Sequence, residues 1–387
     1  MKRYPIHLIL ISTLLVFTSC LGDKGEDINA IIQHFKHQYA PDSRVALFDV
    51  QWDGDKLSGE TNDAQALAYL KDSLEKRKIT VEDKVRVLPD ETLDGQHFAV
   101  VTLSVANLRS APRHSAELAT QATMGTPLSV LKKQEDWYLV QTPDRYISWV
   151  DAGGIALMDK EEMASWQSVD KLMFTPLYGV MFDSPKEDNP VSDLTAGNVL
   201  ELVTEGSKYH QVRLPDGRTG FVPIASLTAF GDWIKSAEPS PDGLVRTAKN
   251  MMGVPYLWGG TSPKGVDCSG FTKTIFFLNG KVIPRDASQQ IHEGILVDDQ
   301  KDWNNLKVGD LLFFGTPAGE GKPERVVHVG MWIGHRSFIH SSGRVKISSF
   351  DPSSELYDEY EEKRYLRTKR IIGNKSRNIL AVNEVIK

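Results

Sequence analysis

A cysteine set among small polar residues and two histidines on neighbouring apolar runs are the side chains best placed to make and break bonds. Cys268 stands in Asp267-Cys268-Ser269-Gly270-Phe271, where an inert structural cysteine would be expected among aliphatics. Phe271, Ile275 and Leu278 then share a helical face and Gly280 is placed as the C-cap, so Cys268 falls at or just inside a helix N-terminus. Unpaired N–H groups and the positive end of the helix dipole favour thiolate there, which turns a thiol of free pKa ~8.5 into a nucleophile at neutral pH. Such a nucleophile needs a base. Val326 to Gly334 reads as an alternating strand. Val327, Val329 and Met331 are expected on one face, and His328 on the other with Val326 and Gly330, the glycine leaving space beside the imidazole. Phe338-Ile339-His340-Ser341-Ser342 follows through a turn at Gly334-His335, and hairpin pairing would set His340 beside His328 to orient its ring. Either histidine alone reads equally well as a core residue. The order Cys, His, His turns the reading towards acyl transfer through sulfur, which requires no metal or other cofactor.

The composition is consistent with that chemistry and excludes several others. The chain has 387 residues, 41% hydrophobic and 25% charged, which describes a globular, multidomain protein rather than a collagenous, disordered or multi-span membrane one. Two cysteines, Cys20 and Cys268, cannot build a disulfide framework or a thiolate-rich zinc site. A formal net charge of -6 without a sustained Lys/Arg run gives no basic face for nucleic acid.

At the N-terminus, Met1-Lys2-Arg3 and the apolar run from Ile6 to Phe17 read as a secretory signal over 1–19, too short to span a bilayer as a mature helix. The run ends Phe17-Thr18-Ser19-Cys20 and resembles a bacterial lipoprotein signal, in which Cys20 is acylated and becomes the first mature residue. The expectation is an exported lipoprotein held to a membrane and facing the periplasm or cell envelope. The alternative is an unlipidated signal cleaved nearby, with Cys20 incidental.

Residues 20–95 read as a small α/β unit. Ile28, Ile31, Ile32, Phe35 and Tyr39 follow helical spacing, Val45 to Gln51 alternates like a strand, Ala64 to Leu74 carries a second apolar helical face, and Lys84 to Leu88 closes as a strand. No catalytic constellation is visible in it. Residues 96–162 and 163–236 repeat each other at an offset of 72: Gly125 pairs with Gly197, Trp137 with Tyr209, Val140 with Val212 and Pro143-Asp144 with Pro215-Asp216. Each copy is expected to form a β-barrel of five or six strands. Asn107-Leu108-Arg109-Ser110-Ala111-Pro112 and Trp149-Val150 resemble the opening and closing strands of bacterial SH3-like domains, which bind cell-wall peptides, pack on a catalytic neighbour or act as spacers. Glu238-Pro239-Ser240-Pro241 reads as a linker, residues 240–375 as the catalytic domain and 376–387 as a tail.

Within 240–372 the motifs Pro255-Tyr256-Leu257-Trp258-Gly259-Gly260, Asp267-Cys268-Ser269-Gly270-Phe271, Pro284-Arg285-Asp286-Ala287-Ser288-Gln289-Gln290, Leu306 to Phe314 and His328 to Gly334 resemble the NlpC-type cell-wall peptidases of the papain-like superfamily. The resemblance implies an α+β fold in which helices carrying the cysteine pack on an antiparallel sheet carrying both histidines. It implies that Cys268 is the nucleophile, His328 the base and acid, and His340 the residue that orients it, with Tyr256 beside the nucleophile helping the Cys268 N–H to hold the oxyanion.

Two SH3-like barrels before such a peptidase resemble the γ-D-glutamyl-L-diamino acid endopeptidases. These act on peptidoglycan stem peptides, L-Ala-γ-D-Glu-diamino acid, with a free N-terminal L-Ala. For substrate binding the resemblance directs attention to Asp286 and Ser288, to Asp267 and Ser269 beside the nucleophile, and to one acidic and one aromatic residue of the first barrel, Glu117 and Tyr146. The diamino acid stays open between meso-diaminopimelate and Lys. Also open are a non-catalytic wall-binding lipoprotein, and an N-acetylmuramoyl-L-alanine amidase or acyltransferase using the same residues.

Overall fold

A computed structural model of the chain describes residues 22–386; the expected signal segment and Cys20 lie outside the described residues. The chain divides into two compact units, one ending at Val87 and the other beginning at Leu88.

In the first unit the helix Gly22–Tyr39 is followed by a hairpin of strands Phe48–Trp52 and Lys56–Thr61. The helix Ala64–Lys76, capped by Asp63 through the Ala66 N–H at 2.9 Å, then returns the chain to a third strand, Glu82–Val87, parallel to the second. Ile28, Ile32, Phe48, Leu57 and Leu70 fill the space between helices and sheet. The unit ends earlier than the expected residue 95, because Leu93 is buried in the core of the next sheet.

That sheet has seven antiparallel strands, Phe98–Val101, Val105–Arg109, Leu118–Thr123, Pro127–Gln134, Trp137–Gln141, Ile147–Asp151 and Ile155–Met158. In space they run seventh, first, fourth, fifth, sixth, second, third. The seven strands between Lys171 and Ala229 run in the same order, so the sequence repeat is a repeat of topology. Each copy has seven strands rather than five or six. The flanking ones are three or four residues long, too short to show alternation in sequence.

The paired glycines of the repeat serve different joints. Gly125 has φ +83°, and a Cβ there would lie 2.6 Å from the Val199 carbonyl oxygen of the second sheet; Gly197, at φ +92°, stands against Phe277 with only 2.7 Å for the same atom.

After the second sheet, Pro241 is not linker but the first turn of the helix Pro241–Asn250, capped by Ser240, since proline at that position loses no intrahelical hydrogen bond. The helix Cys268–Phe277 lies on a six-stranded antiparallel sheet in the spatial order Ile295–Asp298, Tyr365–Arg370, Leu311–Thr316, Arg325–Gly334, Ser337–Ser342, Arg344–Ser349. Phe271, Ile275, Phe313, Val329 and Met331 form the core between helix and sheet, and Phe314, Trp332, Phe338 and Phe350 cover the opposite face. The tail is part of the fold. Leu380–Ala381 pairs with Lys281–Val282, and Val382 and Ile386 are buried with Met173, Val199 and Trp233.

Candidate active site

Cys268 is the first residue of its helix and Asp267 is the N-cap. The Asp267 carboxylate accepts from the Gly270 N–H at 2.7 Å, the Gly259 N–H at 3.0 Å, the Ser269 hydroxyl at 3.2 Å, and both terminal nitrogens of Arg285, which is 1% exposed. Arg285 also donates to the Ser269 hydroxyl at 3.0 Å. These contacts fix Asp267 and Ser269 at the start of the helix, beside the nucleophile. At Gly259, φ +81°, a Cβ would lie 2.1 Å from the Leu118 carbonyl oxygen of the first barrel, so the backbone there packs directly on a neighbouring strand.

The charge state of the thiol differs from the sequence expectation. The N–H groups of Ser269 and Val329 and the Arg285 charge favour the anion, but burial, followed by the Asp267 charge, pushes the thiol up to about 12. A helix dipole acts at the surface or partly buried; the desolvation of a buried thiolate outweighs it here.

His328 is 8% exposed and comes from the strand Arg325–Gly334, whose amide of Val329 faces the thiol. The expected alternation breaks at Val327, where a β-bulge pairs Phe314 with His328 and Gly315 with Val326. Val326 therefore packs on the helix-side core with Val329, while Val327 points out at 40% exposure. On the next strand His340 is fully buried, and its Nδ1 lies 2.7 Å from Nε2 of His328. Behind it, His340 Nε2 is 3.0 Å from the Ser348 hydroxyl, which donates to Asp358 at 3.1 Å. Burial, then the neighbouring His340 and the Arg364 charge, push His328 down to about 3; burial and Lys346 do the same to His340. Both rings are neutral at neutral pH.

Glu361 is 4% exposed, 3.9 Å from His328 Nε2, and bound by Arg364 Nη2 at 2.7 Å to each oxygen. The sequence reading missed Ser348, Asp358, Glu361 and Arg364. The only available signal was the Asp358-x-x-Glu361 pattern of a helix start, which marks the helix Glu359–Lys363 but not its neighbour across the sheet. His328, His340 and Glu361 have ligand atoms within 4.8 Å of one another. An ion would have to displace both the histidine hydrogen bond and the Arg364–Glu361 ion pair.

Tyr256 is positioned by its N–H to the Gly343 carbonyl at 3.0 Å and by a bridge to Val266. Burial, with Cys268 and Asp267 nearby, raises its phenol, which stays a hydrogen-bond donor. Further along, the Tyr146 hydroxyl donates to Asp286 at 3.1 Å, joining residues 140 apart in sequence. The Asp286 side chain remains 25% exposed, with Arg285 Nη1 3.8 Å away. Ser288 lies half-buried in the short helix Ala287–Gln290. Glu117 accepts from the indole N–H of Trp258, itself 63% exposed. The structure thus gathers Cys268, His328, His340 and Tyr256 in one place, and carries Glu117 and Tyr146 from the first barrel onto motifs of the catalytic domain.

The stretch 253–370 matches the model of the NlpC/P60 family, and 104–156 that of the bacterial SH3 domain. A γ-D-glutamyl-L-lysine dipeptidyl-peptidase of Bacillus cereus is 32% identical over 233 residues, 58% of this chain and 67% of that protein. Dipeptidyl-peptidase 6 of Lysinibacillus sphaericus is 28% identical over 67% of this chain and 94% of its own. A solved NlpC/P60 family protein from Bacillus cereus superposes with a TM-score of 0.60 at 25% identity, over 71% of this chain and 99% of that one. An NlpC/P60 endopeptidase from Photobacterium damselae subsp. piscicida shares the fold with a TM-score of 0.54 at 14% identity, over 91% of this chain and 94% of that one.

Proposed function

The chain belongs to the NlpC/P60 family of cysteine peptidases, and from that footing we propose that it cleaves the γ-D-glutamyl–diamino acid bond of peptidoglycan stem peptides bearing a free N-terminal L-Ala. The observation that carries the reading is the buried Cys268 at a helix N-terminus, with the His328–His340 pair at 2.7 Å on the adjoining strands.

In this mechanism the proton of Cys268 passes to the ring nitrogen of His328 that does not face His340, as sulfur attacks the γ-glutamyl carbonyl. The Cys268 N–H and the Tyr256 hydroxyl hold the developing oxyanion, an interaction worth about 2.7–4 kcal/mol per donor in comparable sites. His328 then returns the proton to the departing amine of the diamino acid. Water, deprotonated by the same nitrogen, opens the thioester and releases the acyl product with free Cys268.

The free-amine preference is supported by Asp286, a partly exposed carboxylate beside the Tyr146 hydroxyl, which offers a counter-charge to an ammonium group. Names of relatives that include γ-D-glutamyl-L-lysine support the bond class. The same reading has the protein exported and anchored through acylated Cys20.

Cys268→Ala is expected to abolish cleavage of L-Ala-γ-D-Glu-meso-diaminopimelate, read by product mass, and retained cleavage refutes the mechanism. Product masses also separate this activity from an amidase. The N-acetylated peptide should be cut at least about tenfold more slowly, the equivalent of losing one charge-assisted hydrogen bond of about 1.5–3 kcal/mol; equal rates would remove the ammonium pocket.

A further inference from the structure

We propose that Asp358, acting through Ser348, sets the direction of the hydrogen bonds through the histidine pair, so that His328 keeps its free nitrogen on the side of Cys268. This rests on His328 being the base.

Two neutral imidazoles in a row can be ordered in two ways. If His340 carries its proton on Nδ1, it donates to Nε2 of His328, whose own proton then sits on Nδ1 and leaves no free nitrogen to act as the base. If His340 carries it on Nε2, its Nδ1 accepts from His328 Nε2–H, and the other nitrogen of His328 is free. The 2.7 Å contact between the rings allows both orders.

The groups beyond the rings select one. A carboxylate has only acceptors to offer, so the single hydroxyl proton of Ser348 points to Asp358 at 3.1 Å. The Ser348 oxygen, 4% exposed and 3.0 Å from His340 Nε2, must then accept from that nitrogen. The ladder therefore runs His328 Nε2–H to His340 Nδ1, His340 Nε2–H to Ser348, and Ser348 O–H to Asp358. The Glu361 oxygen 3.9 Å from His328 Nε2 acts in the same sense, since a carboxylate stabilises a proton on that nitrogen and repels a lone pair there. Asp358 and Ser348 are positioning residues, two and one steps removed from the ring they order.

Asp358 also caps the helix Glu359–Lys363 by accepting the Glu361 N–H at 3.1 Å. Asp358→Asn keeps a good cap but can donate as well as accept towards Ser348, which removes the bias and leaves the turn. The test is NMR of the intact chain with 15N-labelled histidine, alongside steady-state kinetics. In the wild type, two-bond couplings should show His340 protonated at Nε2. In Asp358→Asn and Ser348→Ala the Nδ1–H form of His340 should appear, with kcat down about 10–100-fold, the scale of losing an outer partner of a metal-ligating histidine, and KM for the stem peptide unchanged.

A wild-type His340 protonated at Nδ1 would overturn the proposal. So would variants that lose kcat without a change in the His340 protonation site, or that change the site and keep kcat. The NMR readout does not depend on which bond is cut, so failure of the substrate reading, or of Cys268→Ala to abolish cleavage, is a separate result.

Discussion

Burial of Cys268 and His328 makes the resting pair a neutral thiol and a neutral imidazole. The thiol is pushed up to about 12 and the ring down to about 3, both first by loss of water around the charged form. Proton transfer then accompanies attack on the substrate instead of preceding it. The alkylation rate of the free enzyme by iodoacetamide should accordingly keep rising from about pH 6 to 9, following the thiolate fraction; a plateau below neutrality would show a preformed thiolate–imidazolium pair. The histidines have a second consequence. Their folded values lie below the unfolded value of about 6.5, so the unfolded chain binds more protons than the native one in the window from about 6.5 down to about 3. Stability is present above that window and is lost as pH falls through it. His340→Gln should flatten the fall of Tm with acid by about one proton's worth of linkage, and an unchanged slope would mean that His340 is already charged in the native state.

At the scale of elements, the helix that carries Cys268 is tied to the loop that carries Tyr146. Lys273 bonds Asp144 at 2.7 Å, with side chains 13% and 2% exposed, and Asp144 also accepts from the Thr142 hydroxyl at 2.6 Å. Thr142 N–H in turn donates to the Tyr146 carbonyl at 2.9 Å, so the turn that presents the Tyr146 hydroxyl to Asp286 is locked to the nucleophile helix. Lys273→Met would leave Asp144 buried and unpaired, at a cost of about 3–5 kcal/mol. The expected outcome is a lowered Tm with KM for the free-amine peptide raised more than kcat is lowered; an unchanged KM would show that the loop keeps its place without the ion pair. Legibility was uneven at this scale. The Cys268 helix and the two histidine runs could be read from periodicity, because each element obeys its own spacing. The bulge at Val327 could not, since it is set by pairing with Phe314 and Gly315 on another strand.

For the whole molecule, the unit from Leu88 onward contains both barrels, the catalytic sheet and the tail. One loop of the catalytic domain touches both barrels. Thr261 and Ser262 bond Gln121 of the first, Tyr178 of the second donates to the Pro263 carbonyl at 2.8 Å, and Lys264 pairs with Asp193 of the second. The barrels are thus built onto the catalytic domain, which makes a pure spacer role a poor description of them. At the other end of the chain, acylation of Cys20 is expected to supply the membrane attachment. Cys20→Ser should release a soluble enzyme with unchanged turnover, measured by fractionation and peptide cleavage. Continued membrane association of that variant would sink the anchor.

Local rules were enough to place Cys268 behind an N-cap, to space His328 and His340 on neighbouring strands, and to reveal a repeated barrel, because caps, strand alternation and repeats are encoded in residues close together. Tertiary structure alone decided what surrounds them. Tyr146 meets Asp286 across 140 residues, Asp358 and Glu361 arrive behind the histidines from a separate helix, and Val382 and Ile386 close a core with Met173 and Trp233. The protonation state of the pair belongs to the same class. It depends on how completely water is excluded, which is a property of everything packed around Cys268 and His328 and of no stretch of sequence by itself.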